Sequence, residues 1–178
     1  MKTINFIFRV HQRSNLKRYR FFDIGNDHYY YDDYADETAV RQNTDLCYLE
    51  ANRTLLEMIK SSNGKFKVSF AISGLALEQF ERYAPEVIDS FQELAKTGSV
   101  EFLATPNAHS LASVYDADEF AIQTKLQTNK IKQLFGKTPT TFANTALIYS
   151  DEIGDEIAKQ GYKTIMIEGA KHIMGWKS

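Results

Sequence analysis

The side chains able to do chemistry gather at a few points: His11-Gln12, Gly74, the stretch Thr105 to His109, and Asn144-Thr145-Ala146. Two carboxylates join them, Glu101 between Val100 and Phe102 and Glu168 before Gly169. Imidazoles such as His11 and His109 donate, accept or move a proton. A carboxyl whose pKa is raised by burial serves as a general acid. Chemistry that uses two carboxyls across one bond needs them about 5 Å apart, and nothing in the spacing brings Glu101 to Glu168. Ion-pair partners among Arg9, Arg18 and Lys171 are the plainer expectation for both. For His11 and His109 the plain reading is a hydrogen-bonded histidine at a strand end. The four histidines His11, His28, His109 and His172 contain no close His-x-x-x-His pair, and the single Cys47 allows neither a disulfide framework nor a multi-cysteine zinc cluster. No metal and no cofactor is expected.

These residues lie where alternating strand and helix patterns place them together. Apolar or β-branched runs mark strands at Ile4–Val10, Lys65–Ser73, Ser99–Ala104, Thr140–Asn144 and Thr164–Ile167. Helical spacing marks Asp36 to Ser62, as two helices broken near Cys47 to Leu49, closed by Asn63-Gly64. Further helices are expected from Pro85 to Gly98, from the Asp116/Glu119 capping box to Gly136, and from Ser150 to Gly161. About five βα units imply an α/β fold on a parallel sheet, and in such folds ligands meet the carboxyl ends of the strands. His11, Gln12, Gly74, His109 and Asn144 all fall there, as does Ala146. Trp176, the sole tryptophan, is a candidate stacking ring.

The stretch Thr140 to Asp151, Thr-Thr-Phe-Ala-Asn-Thr-Ala-Leu-Ile-Tyr-Ser-Asp, resembles the catalytic strand of the α-amylase-like group of glycoside hydrolase family 57. There the pattern looks like Phe-Arg-Asn-Thr-Glu-Leu-Ile-Tyr-Ser-Asp. The most specific likeness is Leu16 to Asp36, which carries Arg-Phe-Phe-Asp-Ile-Gly-Asn-Asp-His-Tyr-Tyr-Tyr-Asp-Asp-Tyr. Ile-Ser-Gly74, Val100 to Ala104, His109-Ser110-Leu111, Ile148 to Gly154 and Glu168 to Trp176 extend it over essentially the whole chain. The resemblance implies a seven-stranded parallel (β/α) barrel that cleaves or transfers α-glucan linkages with retention, using a Glu nucleophile and an Asp acid/base.

The departures cluster at strand ends. The family's nucleophile position is Ala146 and its arginine position is Ala143. Its His-Gln-Pro is His11-Gln12-Arg13, and its Ala-Glu-Thr-Tyr-Ser-His is Ala104-Thr105-Pro106-Asn107-Ala108-His109. No catalytic residue is therefore assigned. The resemblance implies an incomplete barrel, 1–178 as a single domain truncated at its C-terminal side, with the acid/base Asp on a later strand. The expected substrate-binding set is His11, Gln12, Gly74, His109, Asn144 and Trp176, facing a neutral α-glucan oligosaccharide. Alternatives are an active α-glucan hydrolase or transferase in a longer form, and a non-enzymatic assembly protein, since a piece with uncovered strand edges self-associates. A carbohydrate deacetylase would want an Asp and a spaced His pair on a metal, which the sequence does not show. The tyrosines Tyr29, Tyr30, Tyr31 and Tyr34 among Asp23, Asp27, Asp32 and Asp33 are either a sugar-stacking platform or a capped loop.

At 178 residues, 43% hydrophobic and 25% charged, the chain can bury a real core, and its net charge of -2 supplies no basic field for nucleic acid and no polybasic membrane patch. Its first apolar run is interrupted by Asn5 and Arg9, so the expectation is a cytoplasmic protein that begins directly on a strand.

Overall fold

The computed structural model describes residues 4–169. Strands β1 (Ile7–Val10), β2 (Val68–Ile72) and β3 (Val100–Leu103) pair in parallel in that order. Strands β4 (Thr141–Ala143) and β5 (Thr164–Met166) form a second parallel pair. A single parallel bridge, Ala104 to Phe142, joins the two groups through Ala104 N–H to Thr141 O at 2.9 Å and Ala143 N–H to Ala104 O at 2.8 Å. All five expected strands are thus present and parallel, and spatial order equals chain order. That is the winding of a barrel, whereas a doubly wound sheet reverses its order at a switch point. The expectation of one even sheet needs amending at the β3–β4 seam. Pro106 and Pro139 flank it, and a proline contributes no N–H to a ladder, so pairing there is limited to the one bridge.

The helices are α1 (Asp33–Asn43), α2 (Leu49–Ser61), α3 (Gly74–Tyr83), α4 (Pro85–Lys96), α5 (Ala117–Phe135) and α6 (Asp151–Lys159). The break expected near Cys47 is a π-helical turn, Thr44–Tyr48, that carries α1 into α2 without interrupting the chain direction. Asp32, Ser73, Asp116 and Ser150 each cap a helix by accepting from a backbone N–H three residues on. Gly136 ends α5 in the left-handed conformation (φ 64°) that lets its N–H reach Lys132 O. Helix α3 was not foreseen. Its apolar residues Ala76, Leu77, Phe80 and Tyr83 keep helical spacing, but Gly74 at the start and Pro85 just past the end look like a loop in sequence.

Strand alternation gives the sheet two unlike faces. Toward the helices lie Val10, Val68, Phe70, Ile72, Val100 and Phe102, packed on Phe80, Phe91, Ile131 and Phe135. Phe102 stacks on Phe135 at 4.4 Å and Phe70 meets Phe91 edge-on at 5.1 Å. Burying each such ring contributes about 2–3 kcal/mol. The opposite face carries a small cluster, Ala71, Leu103 and Ala143 with Ile7 and Met166 against them. This is the inner wall of the barrel. Among the described residues β1 and β5 each have one neighbouring strand, and no helix is long and apolar enough to cross a membrane.

Candidate functional site

The carboxyl ends of β1 to β4 converge on one patch. His11, just after β1, places Nδ1 2.9 Å from Ser73 Oγ, which also accepts the Ala76 N–H as the cap of α3. The helix cap therefore fixes the imidazole. His109, in the loop after β3, stacks on His11 with centroids 4.6 Å apart and planes 29° from parallel. Its backbone is left-handed (φ 54°), a conformation non-glycine residues adopt at a cost. The same loop is tied to β2's end where Leu75 N–H donates to Asn107 O at 3.2 Å. Gly74 is required there, because a Cβ at that position would lie 1.6 Å from Asn107 Oδ1.

On the far side, β4 runs into Asn144, which is fully buried. Its Nδ2 donates to Ser113 Oγ (3.0 Å) and to Ile148 O (2.9 Å), and its Oδ1 accepts the Thr145 N–H (2.9 Å). Both amide protons are thus spent on folding the loop. That loop carries two consecutive left-handed residues, Ala146 (φ 51°) and Leu147 (φ 57°). Strain of this kind costs on the order of 1–3 kcal/mol per residue and concentrates at ligand sites. Ala146 is exposed at the centre of it. From β1, the Arg9 guanidinium crosses to donate to the Asn144 carbonyl, tying the edge strand β1 to the end of β4. Arg9 was missed in the sequence as a site residue. A single charge within the run Ile7-Phe8-Arg9-Val10, on the same strand face as His11, was the available signal.

The expected binding residues thus divide. His11, Gly74, His109 and Asn144 come together, with Asn144 offering its backbone more than its side chain. Gln12 follows His11 by one residue and so faces the opposite way, 6% exposed, donating to Tyr48 OH at 2.9 Å on the helix side. Trp176 lies outside the described residues. Glu101 belongs to the opposite end of the sheet, where it accepts from Thr141 Oγ1 at 2.7 Å, and Glu168 is exposed beyond β5. Among the described residues no three His, Cys, Asp or Glu side chains converge as a metal site would require. The patch offers imidazoles, a hydroxyl and backbone polar groups, which can orient a polyhydroxylated ligand.

Burial holds His11 below the ordinary imidazole value. It does the same to His109, where neighbouring His11 and the Arg9 cation add to the push. Their native pKa values therefore lie under the unfolded value of about 6.5. Above that pH both states are neutral and this contribution to stability is complete. As pH falls from about 6.5 through the native values, the unfolded chain takes up protons first and stability is lost. Urea midpoints should accordingly drop between about pH 7 and pH 5, and the drop should shrink in His109→Asn, since asparagine tolerates left-handed backbone. An identical drop in the variant would show that the stacked imidazoles do not carry it.

Residues 5–178 match the family model described as glycosyl hydrolase family 57. A curated protein of Methanocaldococcus jannaschii, named "Putative alpha-amylase", is 34% identical over 178 residues, covering 98% of this chain. Among solved structures, the 4-alpha-glucanotransferase of Thermococcus litoralis superposes over 99% of this chain with a TM-score of 0.68 at 18% identity. A CE4 family pseudoenzyme of Bacillus anthracis covers 68% of this chain with a TM-score of 0.53 at 18% identity. At such identities the structural matches speak for the fold alone. The chain spans 38% of the curated relative's length, 24% of the glucanotransferase chain and 40% of the pseudoenzyme chain.

Proposed function

The chain belongs to glycosyl hydrolase family 57, and from that premise we propose that it is an α-glucan-binding relative without hydrolytic activity of its own. The observation that carries this reading is Ala146. The loop that would present the nucleophile is kept, with Asn144 buried beneath it and Ala146 left-handed and exposed, while the side chain at its tip is a methyl group. In this reading residues 1–178 act as one unit of a barrel, cytoplasmic in setting, and the patch of His11, Ser73, His109 and the Asn144–Ala146 backbone receives sugar hydroxyls.

Binding should be weak, about millimolar or near -4 kcal/mol, because sugar hydroxyls exchange hydrogen bonds with water for little net gain. Calorimetric titration of the 178-residue chain with maltooligosaccharides should give a saturable isotherm. His109→Ala should weaken it about tenfold or more. A folded protein that takes up no heat at saturating sugar would end the carbohydrate reading. It would favour assembly, for which the exposed Ile4, Phe6 and Phe8 on and beside the single-neighbour strand β1 are the supporting observation.

A further inference from the structure

A second concavity, of about 220 Å3, lies between the loop that leads into α1 and the exposed side of α3. At roughly 30 Å3 per water this is room for about seven waters, the scale of one sugar ring. Its walls are Tyr29, Tyr31 and Tyr83, with Asp33, Gln79 and Arg82 among the polar lining. It adjoins the strand-end patch without belonging to it, since Ser14 and Leu75 on its rim follow His11 and Gly74 in the chain. We propose that this cavity is a separate subsite for one neutral pyranose ring of a glucan, held beside the strand-end patch.

The walls suit a ring that has an apolar face and a hydroxylated edge. Tyr29 and Tyr31 meet at 72° with centroids 6.1 Å apart, forming two non-coplanar aromatic surfaces, and each is nearly half exposed. The third ring, Tyr83, is already covered by the Arg82 guanidinium at 5.1 Å. Polar groups are held in place by one another and left partly unspent. Asp33 Oδ1 receives Tyr29 OH (2.7 Å), Tyr83 OH (3.1 Å) and Arg82 (3.1 Å). Asp36 Oδ1 receives the Asn15 N–H (2.6 Å) and Nδ2 (2.8 Å). In both carboxylates the described bonds fall on Oδ1. Gln79 is 7% exposed and donates through Nε2 to Arg13 O and Ser14 Oγ, while its buried Oε1 accepts from no described residue.

Unused acceptors on Asp33 and Asp36 therefore stand near donors on Tyr31 and Arg82. Groups that both donate and accept, as sugar hydroxyls do, match that mixture. A simple cation would use the acceptors alone and would meet Arg82 in the wall.

The sugar class rests on the carbohydrate reading above, and the test separates the two. Amide NMR of the 178-residue chain titrated with maltotriose should show two responding sets, one at residues 14, 29–33 and 79 and one at 73–75, 107–109 and 144–146. Tyr31→Ala, which removes an exposed wall, and Glu78→Trp, which fills the cavity from the solvent side of α3, should each weaken the first set about tenfold and leave the second within about twofold. Silence at residues 14, 29–33 and 79 while the second set moves, or a first set indifferent to both variants, overturns the subsite and leaves the functional proposal standing. Silence at both sets removes both. A first set that answers to ethylammonium instead of maltotriose, and fades with salt, makes the cavity a cation site and overturns the proposal equally.

Discussion

Incubated with amylose or maltooligosaccharides, the 178-residue chain should release no measurable reducing sugar. Retaining cleavage requires a carboxylate beneath the anomeric carbon and a second one about 5–5.5 Å away to protonate the leaving oxygen. At position 146 there is a methyl group, which neither attacks nor stabilises positive charge. The loss of a nucleophile removes on the order of 5 kcal/mol or more of transition-state stabilisation, several powers of ten in rate. Nor can the two family residues simply be put back. Ala143 is fully buried in the small inner cluster with Ala71 and Leu103, and Arg9 already bonds the carbonyl of the next residue, Asn144. Ala143→Arg would force a guanidinium into that packed cluster, next to the residue whose carbonyl Arg9 holds. Overpacking alone costs about 1–3 kcal/mol, before the unpaired charge is counted. Ala146→Glu is expected to fold, being exposed, and Ala143→Arg to lower the urea midpoint, with neither variant hydrolysing starch. Sugar release by the unaltered chain that disappears in Glu101→Gln or Glu168→Gln would mean that a relocated carboxylate does the work.

What the sequence makes legible follows from how local each signal is. The five strands are visible because each is an apolar run between glycines, prolines or caps, and Ser150 and Asp116 announce their helices with side chains that bond three residues ahead. The sequence does contain the reason that Gln12 turns to the helix side and bonds Tyr48: adjacent strand-end residues face opposite ways, so it points away from His11. The tyrosine-rich loop has two readings in sequence, and the described hydrogen bonds realise the capped loop. Asp32 caps α1, and Tyr19 OH holds the Asp27 and Tyr29 carbonyls, yet Tyr29 and Tyr31 also wall a cavity. Contacts between residues far apart in sequence left no local trace. The bond of Arg9 to Asn144 spans 135 positions, and the stack of His11 on His109 depends on two strand ends meeting.

A glutamine inside a helix is the least conspicuous of these long-range ties and should be the most costly to remove. Gln127 sits on α5 with no exposure at all. Its Nε2 donates to Ile72 O at 2.8 Å and Leu103 O at 3.3 Å, and its Oε1 accepts the Thr105 N–H at 3.3 Å. One side chain thus binds the ends of β2 and β3 and the first residues of the loop where Pro106 prevents the ladder from continuing. One turn earlier Gln123 accepts from the Ala108 N–H (3.2 Å) and Ser110 Oγ (2.9 Å), so α5 holds both flanks of His109. Gln127→Leu conserves volume and leaves Ile72 O and Thr105 N–H without their described partner, while Leu103 O keeps its ladder bond to β2. At about 1–3 kcal/mol each, reduced because the bond to Thr105 is long, the loss is about 2–4 kcal/mol, a large share of the roughly 5–15 kcal/mol that holds a domain folded. With an m-value near 2 kcal/mol/M, the urea midpoint should fall by roughly 1–2 M at unchanged slope. Because the freed loop carries His109, the His109 amide should also move at low denaturant. A midpoint shift under about 0.5 M would mean that water or backbone rearrangement satisfies those groups and that α5 does not fix the strand ends through Gln127.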